Sequence, residues 1–76
     1  MVKTQNVDVA LLDEAIEKSG FKNSFFYEKL GISKQSFSNK RRGVTAFRQS
    51  EVFVMCTLLN LDDAQSTQIF FPEKLG

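Results

Sequence analysis

The chain has no histidine and no tryptophan, and only one cysteine and one proline in 76 residues. Without histidine, the commonest general base and nitrogen metal ligand is missing. A single thiol, Cys56, cannot close an internal disulfide or assemble a thiolate metal site. None of the four glycines belongs to a phosphate-cradling loop, so nucleotide, metal and nucleophilic chemistry all lack their usual parts. Neither an enzyme nor a bound cofactor is expected. Long apolar runs are also missing, which argues against a membrane span, and no basic start followed by an apolar run suggests a signal peptide. A lone, reduced thiol then fits a cytoplasmic protein. The one proline, Pro72, stands near the end and leaves nearly all of the chain free to be helical.

A net charge of +1 conceals an uneven distribution. Between Lys29 and Ser50 stand Lys29, Lys34, Lys40, Arg41, Arg42 and Arg48 with no acid among them, a charge of +6. The rest of the chain carries four bases against nine acids, or −5. A basic middle between acidic ends points to a polyanionic partner more than to general solubility.

Helical punctuation is regular. Val9, Leu12, Ala15 and Ile16 recur at helical spacing from about Val7 to Ser19, with Asn6 or Asp8 as N-cap and Gly20 as a left-handed stop. Phe21 then stands where an apolar contact back to Ile16 closes such a stop. A short helix is predicted from Asn23 to Leu30, with Phe26 and Leu30 on one face, then a turn at Gly31-Ile32-Ser33, then a third helix from Lys34 to Arg41 ended by Gly43. Phe37 is the only large apolar residue of that third helix, so it must anchor the helix and leave the rest facing outward. After Phe47, a core plug, a fourth helix from Arg48 to Leu59 presents Val52, Met55, Cys56 and Leu59. Asn60 caps it, and Asp62 with Gln65 opens a fifth helix that Pro72 closes. Phe26, Phe37 and Phe53 are expected in the core, and Cys56 as an inert thiol beside them. The expectation is an all-α bundle of five short helices, one domain over residues 1–76 with residues 1–6 and 73–76 frayed.

The stretch from Asn23 to Arg42 reads as a helix-turn-helix. In such a unit the first helix crosses the DNA backbone and the second turns its outward residues to base edges in the major groove. Outward here are Ser33, Lys34, Gln35, Ser38 and Asn39, and the amides and the ammonium suit adenine and guanine edges. Lys40, Arg41, Arg42 and Arg48 are expected along the phosphates. In the strings Glu-Lys-Leu-Gly-Ile-Ser (28–33), Gln-Ser-Phe-Ser-Asn-Lys (35–40), Leu-Leu-Asn-Leu (58–61) and Ile-Phe-Phe-Pro (69–72), the chain resembles the Cro/repressor-type (XRE, lambda-repressor-like) helix-turn-helix family, in its short phage and mobile-element form. The resemblance runs from about Leu11 to Phe71. It implies a transcriptional regulator bound to double-stranded DNA, with Ser33, Lys34, Gln35 and Asn39 at base-contacting positions and Asn23 at a phosphate. Two residues depart from the family pattern: Tyr27, where a small residue is usual, and Lys40, near where an aliphatic residue is usual on the inner side of the recognition helix.

Two further expectations concern partners. Ile69, Phe70, Phe71 and Leu75 form a short apolar tail that, if exposed, suits a homodimer contact; the opposing expectation folds Phe70 and Phe71 into the monomer core. The competing class for the whole chain is a small helical protein-interaction module, an antirepressor or adaptor that kept the same fold.

Overall fold

Local signals place the helices. In the computed structural model, which describes residues 7–72, α1 spans Val9–Ser19, α2 Asn23–Leu30, α3 Lys34–Arg41, α4 Gln49–Leu58 and α5 Asp63–Phe70, and the described residues contain no strand. The Asp8 carboxylate accepts from the Leu11 N–H at 3.1 Å and starts α1, two residues later than Val7. Gly31 sits at φ 73°, where a Cβ would strain the backbone, so the chain can turn from α2 into α3 within three residues. The Ser33 hydroxyl then accepts from the Ser36 N–H at 3.0 Å, satisfying one of the free donors that open α3. At α5 the Asp62 carboxylate accepts from the Gln65 N–H at 2.8 Å while the Gln65 side chain accepts from the Asp62 N–H at 3.1 Å.

The helices enclose one core of Leu12, Ile16, Phe26, Phe37, Phe47, Val52, Met55, Ile69 and Phe70. α1 packs on α5 and α3, and α2 packs on α3 and α4. Phe26, Phe37, Phe70, Leu12 and Met55 are fully buried, each contributing about 1.5–3 kcal/mol of transfer free energy. The radius of gyration of 11.6 Å is close to the roughly 11 Å of a compact chain this long. No helix among the described residues is long and apolar enough to cross a membrane.

Two expectations change. Ile69 and Phe70, offered as part of an exposed dimer patch, are 5% and 0% exposed, and the Phe70 ring meets Phe47 edge-on at 5.5 Å. A domain this small draws its apolar residues inward; Phe71 is half-buried, and Leu75, like Asn6, lies outside the described residues. The patch through Ile69, Phe70 and Phe71 is therefore not a surface. Phe53, placed in the core by its spacing, is 73% exposed. It stands two residues from the fully buried Met55, about 200° around the helix. The buried face of α4 runs through Glu51, Val52 and Met55, with Cys56 and Leu59 half-buried against the core, so the expected face holds and gains a glutamate. Phe21 is 45% exposed; its N–H donates to the Ser19 hydroxyl at 3.1 Å, and its ring stacks on Phe25 with centroids 4.2 Å apart.

Candidate nucleic-acid interface

α3 is seated by one aromatic. Phe37 is 1% exposed and lies nearly parallel to Phe26 of α2, with centroids 6.1 Å apart, while Tyr27 approaches it at 6.3 Å. Tyr27 thus packs beside Phe37 where α2 meets α3. With Phe37 inward, helical geometry turns residues 35, 39 and 42 away from the core. Ser33, Lys34 and Gln35 are exposed, and Ser38 and Asn39 are half-buried. The Gln35 amide donates to Asn39 Oδ1 at 3.2 Å, and Arg42 donates to the same oxygen at 3.2 Å. These three side chains form a small network across the outward side of α3. Such a network holds two amides and a guanidinium in register at little entropic cost when a ligand arrives.

The basic residues divide into two sets. Arg41 donates from Nε to Asp13 of α1 at 2.7 Å and from Nη1 to Asn23 Oδ1 at the start of α2 at 2.5 Å. Arg41 and the exposed Asn23 therefore join helices to one another before meeting any ligand. Lys40 is buried, 8% exposed, with Nζ 2.5 Å from Glu51 Oε1 of α4. Lys40 was expected along the phosphates; the structure turns it inward, and it is withdrawn from that set. Arg42 and Arg48 remain exposed and form no ion pair among the described residues, nor does Lys34. Lys29 stands with its ammonium 5.6 Å from the Phe25 ring centroid. Free positive charge around α3 thus comes from Lys29, Lys34, Arg42 and Arg48.

No family model, no curated protein and no solved structure matches this chain. The assignment of the site therefore rests on its geometry.

Sequence reasoning missed Glu51. Burial pushes the Glu51 carboxyl up, but the hydrogen bonds from Lys40 and from the Arg48 N–H, with the positive charges of those two residues, outweigh it and hold the group below its usual value. The Arg48 N–H donates to the same Oε1 at 2.8 Å, so one oxygen both caps the start of α4 and pairs the lysine. A signal existed for the cationic side. Lys40 and Arg41 follow Phe37 by three and four residues, the spacing that places side chains on one helix face. Nothing in the sequence singled out Glu51 or Asp13 as their partners.

Proposed function

We propose that this chain is a sequence-specific DNA-binding regulator of transcription, Cro/repressor-like in kind, that lays α3 in the major groove of double-stranded DNA. One observation carries the reading. α3 offers solvent a strip of Ser33, Lys34, Gln35, Asn39 and Arg42 with no carboxylate in it, on a helix joined to α2 by a three-residue turn. Gln35 and Asn39 have the paired donor and acceptor that match an adenine edge, and Lys34 donates to guanine. Ser33 spends its acceptor on the N-cap bond and keeps its hydroxyl hydrogen for a base or a phosphate. Ser38, half-buried beside Asn23, Tyr27 and Arg41, contributes at the margin. Arg42 and Arg48 are the phosphate contacts of this reading.

Titration against selected and random duplexes over a range of salt tests it. Log affinity should fall with log salt by roughly 0.9 per phosphate contacted. Arg42→Ala and Arg48→Ala should each reduce that slope by about 1 and weaken binding to every sequence alike. No binding to any duplex at low salt overturns the proposal. In that case the protein-interaction module is the better reading, and the observation in its favour is Phe53, 73% exposed on the side of α4 remote from the core.

A further inference from the structure

α3 is the helix on which the proposed readout depends, yet its apolar seat is a single ring, Phe37. It packs on α1 and α2, whereas α4 packs on α2. The Lys40 side chain crosses from the last turn of α3 to the first turn of α4 and ends on Glu51 Oε1. That carboxylate is itself fixed, because the Arg48 N–H holds the same oxygen from within α4. The neighbouring Arg41 fixes the same turn to α1 through Asp13 and to α2 through Asn23. The end of α3 is therefore tied to three other helices by directional bonds.

Stability alone does not account for burying Lys40 and Glu51. Removing two charges from water costs several kcal/mol per ion, and a well-packed apolar pair in the same space is often as stable or more so. What an apolar pair lacks is direction, since dispersion and hydrophobic contact tolerate sliding and rotation. The rotation of α3 matters to readout. With a side-chain radius of about 5–6 Å, a turn of about 20° moves an outward tip by roughly 2 Å. Hydrogen bonds to base edges tolerate only about 0.5 Å in length.

We infer that the Lys40–Glu51 ion pair positions the DNA-reading helix, fixing the rotation of α3 against α4 and with it the presentation of Gln35 and Asn39. Neither residue touches DNA in this arrangement. Both act through α3.

The test replaces the pair with Lys40→Met/Glu51→Gln, which removes the ion pair and keeps an acceptor for the Arg48 N–H. Residual dipolar couplings measure the orientation of α3 relative to α4 as well as to α1 and α2, and binding is read as the ratio of affinities for a selected and a scrambled duplex. The expected result is a folded protein with α3 reoriented, a ratio lowered about ten-fold or more, and an unchanged salt slope, since Lys40 meets no phosphate. If that protein does not fold, Lys40→Met/Glu51→Leu supplies an apolar pair for the same measurements. Unchanged couplings for α3 in a folded variant overturn the inference whatever happens to DNA binding, as does a lowered salt slope. Failure of both pairs to fold overturns it too, by making the ion pair a stabilising element. The binding arm rests on the DNA-reading proposal, the couplings do not: a reoriented α3 in a protein whose wild type binds no duplex supports the positioning role and ends the DNA reading alone.

Discussion

α3 and α4 are built in opposite ways. α3 is polar on most of its surface and buries one aromatic and one lysine; α4 is apolar over most of its length yet turns a glutamate inward and a phenylalanine outward. The inward lysine of one and the inward glutamate of the other are the same contact. Residue type alone therefore misassigns both ends of this pair. Lys40 is buried because it follows Phe37 by one turn and meets an acid. Phe53 is exposed because its direction on α4 leads away from the core.

The largest effect expected from breaking this contrast is at Phe37. Phe37→Ala should cost about 3–5 kcal/mol in urea unfolding, because it leaves a cavity against Phe26 and removes the only large apolar seat of α3. A change below 1 kcal/mol means α3 is held mainly by its polar ties. Glu51→Gln should come next, at about 3 kcal/mol or somewhat more near neutral pH, because it leaves the Lys40 ammonium buried without a counter-charge. Its pH dependence sharpens the case. The Glu51 carboxyl is held below its usual value in the folded protein. Its contribution is thus fully present above the ordinary glutamate value of about 4.3 and is lost as the pH falls through the lowered one. Unfolding measured across the acid range should show this limb in the wild type and a shallower one in Glu51→Gln; parallel curves refute the assignment.

On the outward side of α3, Gln35→Ala should leave the melting temperature unchanged and relax discrimination at one or two base pairs by about 1–3 kcal/mol. Competition binding with single-base-pair variants of a selected duplex reads this directly, and full retention of the preference removes Gln35 from the readout. The smallest effect belongs to the exposed ring of α4. Phe53→Ser should change stability by less than about 0.5 kcal/mol, as a surface substitution does. A loss approaching that of Phe37→Ala means the ring is covered in solution.

The helix limits were legible in the sequence because they depend on neighbours within a turn. Gly20 and Gly31 take positive φ, Ser33 and Asp62 cap, and Gln65 reaches back to Asp62. The seat of α3 at Phe37 was legible for a similar reason, since one ring on a polar helix has only one direction to face. The set of basic residues free for a polyanion was not. Six bases stand between Lys29 and Ser50 with no acid among them, but Asp13 and Glu51, outside that stretch, come back in space to pair Arg41 and Lys40. The apolar tail misled in the same manner. Ile69 and Phe70 have free places in the core only once Leu12, Phe47 and Met55 have been brought together.

By itself, then, the sequence determined an all-α chain, five helices with most of their ends, and the tight turn between α2 and α3. Caps, left-handed glycines and spacing over one helical turn act between residues about a turn apart in the chain. Tertiary structure alone decided the burial of Glu51, the exposure of Phe53 and the partners of Lys40 and Arg41. Consecutive helical residues differ by about 100° in direction. Which direction is inward depends on the helix that arrives to pack there.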